Sequence, residues 1–196
     1  IQLLPLSKPV QTTKDYKAYL IRTLLNRLFK MRMNAWAFEN PSYKKASIQY
    51  SSFLNATGVL LCSVELLPGK MEKGISEFIA QQEQIFRYGF TRAEIERAKK
   101  VIYNNLENKL QNQQNPTSIE LMNDVYADFY VGNRFTSLQE EYQLVQLYFP
   151  EIDSVALARN LAKVYSPRKM HYLLRANEKA DKEVGGDMTL MAIIKE

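Results

Sequence analysis

The 196-residue sequence predicts an α+β fold in which an antiparallel or mixed sheet packs against several helices. Three observations carry that reading. Two strand-like segments stand side by side between residues 46 and 66, the first alternating and the second almost continuously apolar. Capped helix starts then follow one another at Thr91, Thr117, Ser137 and Asp153. A short apolar run at residues 169–176 closes the pattern as a strand. A hairpin followed by consecutive helices belongs to α+β folds, whereas strict strand–helix alternation would belong to a doubly wound sheet.

Residues 1–10 hold Pro5 and Pro9 and read as an extended segment entering the domain. Thr12 or Thr13 then caps a long helix. Its Tyr16, Leu20, Leu24, Leu28 and Met31, with Ile21 and Leu25 beside them, make a broad buried stripe. Residues 33–43 mix aromatics with Pro41 and read as a loop. Ala46, Ile48, Tyr50 and Ser52 alternate with Ser47, Gln49 and Ser51, as in a half-buried strand. Asn55 marks a turn, and residues 57–66 suit a strand inside the sheet, stopped by Pro68-Gly69.

Ile75, Phe78, Ile79, Ile85 and Phe86 share one side of the next helix, and Gly89 fits the positive-φ residue that closes it. Thr91 and Glu94 are spaced as a capping box, with Phe90 and Ile95 as the hydrophobic staple. Ile95, Ala98, Ile102, Leu106 and Leu110 continue as a helical stripe. The polar run 111–115 before Pro116 reads as a loop. Thr117 with Glu120, and Ser137 with Glu140, repeat the capping box. Between them Leu121, Met122, Val125, Tyr126 and Phe129 form a stripe that Gly132 closes. Tyr126, Phe129, Tyr130, Tyr142, Tyr148 and Phe149 sit at helical spacing and read as core. Asp153 caps a further helix, stapled by Ile152 and Leu157. Residues 11–177 thus form one domain. Residues 178–196 turn polar, contain Gly185-Gly186, and read as a linker with a short helical end.

The composition excludes several classes of function. A net charge of +5 is spread among interleaved acids, as at Glu94, Arg97, Lys99 and Lys100, with no basic block of the kind that marks nucleic-acid binding. No apolar run reaches the roughly 20 residues that span a bilayer. One cysteine, Cys62, rules out an internal disulfide framework, and its apolar strand makes it an inert core thiol. A catalytic zinc needs three protein ligands, yet the only histidine, His171, reads as a surface or packed residue of the last strand. Glycine motifs for phosphate and a nucleophile elbow are lacking. The paired carboxylates Glu94 and Glu96, Glu140 and Glu141, and Glu151 and Asp153 all fall at helix starts, where acids complement the helix dipole. No catalytic and no metal-binding residue is therefore expected here, and no substrate-binding residue can be named. The chain opens at Ile1 rather than Met, as an excised piece of a longer polypeptide would.

With the order of elements and the Gly89-Phe90-Thr91-x-x-Glu94-Ile95-x-x-Ala98-Lys99 hinge in place, the chain resembles a domain of the pitrilysin/insulinase zinc metallopeptidases, the inverzincins. Matching pieces run through residues 10–13, Leu25-Asn26-Arg27-Leu28, the hairpin after Pro41, residues 78–99, residues 129–132 and residues 172–174. The resemblance implies a processing-peptidase-like architecture. It also implies homologous domains that repeat along a parent chain and together enclose a peptide-digesting chamber. One domain of such proteins carries H-x-x-E-H and a distal Glu around zinc. This segment has no H-x-x-E-H, so it resembles the zinc-less second domain of a bacterial long-chain member. The zinc is then a cofactor of another domain of the parent, and the partners are those domains and a peptide substrate. A periplasmic or cell-envelope parent is implied in the same way. Some relatives hold substrate with an Arg and a Tyr about seven apart before the hairpin; Arg32 and Tyr43 stand eleven apart, and that role is not carried over. The competing expectation is a stand-alone scaffold or partner-binding domain with the same fold and no protease role.

Overall fold

The computed structural model describes residues 1–6, 8–39, 42–53, 57–112, 117–134, 136–173, 175 and 192. Its elements are β1 (Gln2–Leu6), α1 (Thr13–Glu39), β2 (Tyr43–Phe53), β3 (Thr57–Leu66), α2 (Met71–Tyr88), α3 (Arg92–Gln111), α4 (Ser118–Val131), α5 (Leu138–Tyr148) and α6 (Ser154–Val164). Short 3-10 turns lie at Phe149–Glu151 and Pro167–Lys169. The fold is α+β, and the sheet is antiparallel throughout, in the order β1-β3-β2.

The apolar strand β3 takes the centre, as its composition predicts. Register sets its two faces apart. Ala46, Ile48 and Tyr50 of β2 stand opposite Val64, Cys62 and Leu60 of β3, and these residues point toward the helices. Leu60 is fully buried, and β1 adds Gln2 and Leu4 to the same side. Long helix α1 lies against β2 and also touches α3, α5 and α6, so Leu24, Leu28 and Phe29 fill the centre of the core. The Phe29 ring meets Phe86 and Phe90 at centroid distances of 5.9 and 5.8 Å, joining α1 to the α2–α3 hinge.

The hinge has the predicted chemistry. The Thr91 hydroxyl accepts from the Glu94 amide, and the Glu94 carboxylate accepts from the Thr91 amide at 2.8 Å. Phe90 and Ile95 are both buried. Gly89 has φ +69° and ψ −142°, a combination close to glycine-only territory rather than the ordinary left-handed well. Ser137 and Glu140 form a second complete box, and Asp153 accepts from the Ala156 amide at 2.8 Å with Ile152 and Leu157 buried around it. At α1 it is Thr12 that caps, exchanging bonds with Asp15.

Four readings are corrected. Residues 1–10 are not merely extended: residues 2–6 pair with β3 as an edge strand, with a register shift around Pro5, which has no amide to donate. Residues 33–39 are not a loop, because α1 continues through them; Met33 is buried, and Trp36 and Ala37 pack on the core at helical spacing. Residues 169–176 do not form a strand among the described residues. Pro167 opens a 3-10 turn, and the only strand-like feature is one exchange with the edge of β1, where the His171 amide donates to the Ile1 carbonyl at 2.7 Å and the Ile1 amino group donates back at 2.6 Å. Finally, Phe149 is core and Tyr142 and Tyr148 are half-buried, but Tyr126, Phe129 and Tyr130 of α4 are exposed. Leu174 and residues 176–191 and 193–196, hence nearly all of the expected linker, lie outside the described residues, as do 113–116 of the expected loop.

Candidate functional site

Reactive side chains are placed in structural roles. His171 is exposed, and its backbone is tied to Ile1. Cys62 faces inward from β3, where burial pushes its thiol up to about 12; such a thiol stays protonated and is a poor nucleophile and metal ligand. Among the described residues no three His, Cys, Asp or Glu side chains converge. The described side chains therefore do not assemble the three-ligand set of a catalytic zinc.

The carboxylate pairs are engaged elsewhere. Glu94 takes a bidentate pair from Arg32, Nε to Oε1 at 2.7 Å and a terminal nitrogen to Oε2 at 2.5 Å. Burial opposes the charge on Glu94, but the bonds from Arg32 and Thr91 more than offset it, and its pKa lies below the ordinary value. Glu96 pairs with Lys99, Glu140 closes its capping box, and Glu151 meets Lys17. Glu141 accepts from the Tyr16 hydroxyl at 3.2 Å. Arg32 also lies over Trp36 and Phe90, and the Tyr43 hydroxyl donates to Gln81 within the interior. Both side chains are thus held by partners within the domain.

What the fold does present is surface. The face of the sheet away from the helices carries Leu3, Val59 and Leu61 at one side and Ser47, Gln49, Ser51 and Ser63 at the other. Leu3 is 59% exposed and Leu61 39%. Serines 47 and 63 share a hydrogen bond of 2.7 Å across the strands. Around the edge, an open groove of ≈ 350 Å³ lies between the start of α1, β1, β2 and α6, bordered by Lys8, Arg22, Tyr19, Tyr50 and Lys163. The Arg22 guanidinium sits between the Tyr19 and Tyr50 rings at 5.7 and 5.6 Å.

Asn26 was legible only as part of a matching sequence piece; its role appears in space. Its amide donates to the Tyr50 carbonyl at 2.7 Å and accepts from the Tyr50 amide at 2.8 Å. The side chain thus completes the backbone bonding of the edge strand β2 at one residue, as a neighbouring strand would.

No profile of a known family matches the sequence, and no curated protein matches it. Solved structures do. The periplasmic protease PqqL from Escherichia coli superposes with a TM-score of 0.84 at 18% identity, covering 99% of this chain and 22% of that one. The structure of its first half gives 0.77 at 18% identity, over 83% of this chain and 35% of that one. A predicted insulinase family protease from Yersinia pestis gives 0.70 at 12% identity, over 98% and 43%. This chain therefore spans less than half of each of these three structures. Hairpin, capped hinge and helical layer together are the fold of a pitrilysin/insulinase-type peptidase domain.

Proposed function

We propose that this chain is a non-catalytic domain of a larger zinc metalloendopeptidase, where it walls a chamber for peptides cut at zinc in another domain. The observation that carries the reading is the uncovered sheet face. An extended or unfolded peptide needs sequence-tolerant contact, and an exposed sheet face with apolar Leu3, Val59 and Leu61 beside hydroxyl and amide groups and the charged pair position Lys45–Glu65 offers both burial and hydrogen bonds. Among the described residues Cys62 packs against the core, the paired carboxylates are engaged and no ligand cluster converges, which suits a wall rather than a reaction centre. The likeness to structures described as periplasmic proteases supports a periplasmic parent.

A photo-crosslinking residue in place of Leu61, in the full-length polypeptide, tests this. Incubation with a labelled unfolded peptide should give an adduct at that position and none from the same probe at Lys100, on exposed helix surface. Equal labelling at both positions, or none at Leu61, would remove the chamber-wall role and leave a scaffold domain.

A further inference from the structure

The groove between β1, the start of α1 and α6 has an apolar floor and a cationic rim. Leu4, Leu25 and Val164 line it and are buried, so they form the floor. Lys8 and Lys163 line it and are exposed, and Arg22 lines it half-buried, so three positive charges border that floor. Its volume of ≈ 350 Å³ lies at the lower end of the range for ligand sites, about 300–1,000 Å³. That volume suits a short stretch of chain rather than a folded surface.

The one acid that lines the groove is occupied at the start of α1. Asp15 accepts from the Thr12 hydroxyl at 2.6 Å, from the Thr12 amide at 2.9 Å and from the Gln11 amide at 3.3 Å. Those bonds, the Thr12 hydroxyl's foremost, and Lys8 nearby hold its carboxyl below the ordinary value. Neither Lys8 nor Lys163 forms an ion pair among the described residues. The Arg22 guanidinium is positioned by the Tyr19 and Tyr50 rings, which also line the groove. A planar guanidinium held in this way loses little freedom when a carboxylate pairs with it.

We propose that this groove binds an acidic segment of a peptide. A Glu or Asp carboxylate of the segment meets Lys8, Arg22 and Lys163, and an adjoining apolar side chain covers Leu4, Leu25 and Val164. Charge complementarity selects the anion. The floor selects its apolar neighbour, which a bare inorganic anion would leave uncovered. Leu4 and Tyr50 reach the groove from the helix side of the sheet, so it is separate from the face that carries Leu3 and Leu61. The choice of a peptide as bearer of the carboxylate rests on the reading of the chain as a peptidase domain; the charge and the floor do not.

Fluorescence anisotropy with the full-length polypeptide, and chelator present to stop cleavage, tests this. Two labelled peptides blocked at both ends are compared, one with glutamates set between leucines and its glutamine counterpart. The glutamate peptide should bind about fivefold more tightly, and the preference should shrink as salt rises. Lys8→Gln combined with Lys163→Gln should remove most of the preference, while Lys100→Gln on exposed helix surface leaves it intact. Both substituted lysines of the groove are exposed, so the double variant should keep the parent's denaturant midpoint. Equal binding of the two peptides, or a preference that survives in the double variant, would overturn the proposal. An equal gain from the glutamine peptide with a free C-terminal carboxylate would also overturn it, by making this a site for chain ends. So would displacement of the glutamate peptide by inorganic phosphate at an ionic strength where chloride leaves it bound. Cleavage measured without chelator separates the two readings. A protein that cleaves no peptide but keeps the lysine-dependent preference loses the peptidase role and keeps the groove; cleavage with no charge preference does the reverse.

Discussion

Removing the Glu94 side chain should cost far more than an ordinary surface substitution. Its Oε2 accepts from the Thr91 amide, the Thr91 hydroxyl and Arg32, while Oε1 accepts from Arg32 Nε. The capping interaction contributes about 1 kcal/mol. Hydrogen bonds to charged groups contribute about 1.5–3 kcal/mol, and the Arg32 side chain is only 16% exposed, so water replaces Glu94 poorly. Glu94→Ala should therefore destabilise by about 2–4 kcal/mol. Glu94→Gln keeps an acceptor for the capping box and loses the ion pair, so it should cost about 1–2 kcal/mol. Thr91→Ala removes the box alone and should cost about 1 kcal/mol. Urea unfolding of the three variants, with unchanged slope, reads the order directly. Acid adds a second check. The Glu94 pKa is lowered on folding, so its contribution is present above the unfolded carboxylate value of about 4.3 and is lost as pH falls through the folded value. The gap between wild type and Glu94→Gln should close in that window. A Glu94→Ala midpoint matching wild type at neutral pH would refute the hinge energetics.

Other outcomes follow from the same structure. Gly89→Val should destabilise by about 1–3 kcal/mol, because φ +69° with ψ −142° strains any side chain while the nearest atom to an added Cβ is 4.0 Å away; an unchanged denaturant midpoint would mean the hinge backbone differs. Asn26→Leu should cost about 1–3 kcal/mol by leaving both Tyr50 backbone groups unpaired. Faster amide exchange at Tyr50 and concentration-dependent association through β2 should accompany it. The 196-residue chain should retain no stoichiometric zinc after dialysis, which elemental analysis checks; one tightly held ion per chain would contradict the assignment of its side chains.

Local rules made the hinge readable. Gly89, the Thr91–Glu94 box and the Phe90–Ile95 staple each involve residues within a turn of one another, and nothing distant competes with them. The same holds for Ser137 with Glu140 and for Asp153. Non-local facts stayed hidden. Residues 2–6 become a strand only because β3 offers an edge, and residues 33–39 stay helical because Met33 and Trp36 find the core, despite aromatics and Pro41 that read as a loop. In α4 the periodicity revealed an apolar face but not what lies opposite it, and the face points to solvent. Of the surface, composition showed only that histidine and cysteine are scarce, whereas the sheet face and the Asn26 edge contact require the register of three strands.

Cleavage of an unfolded peptide by three polypeptides bears most directly on the proposed role: the chain alone, the full-length protein, and the full-length protein lacking residues 9–176. The full-length protein should cleave in a chelator-sensitive manner, the chain alone should not, and the folded, zinc-loaded deletion should lose most of its activity because its peptide is no longer held in productive geometry. Chelator-sensitive cleavage by the chain alone would contradict a non-catalytic domain, and full activity of the deletion would make it a bystander.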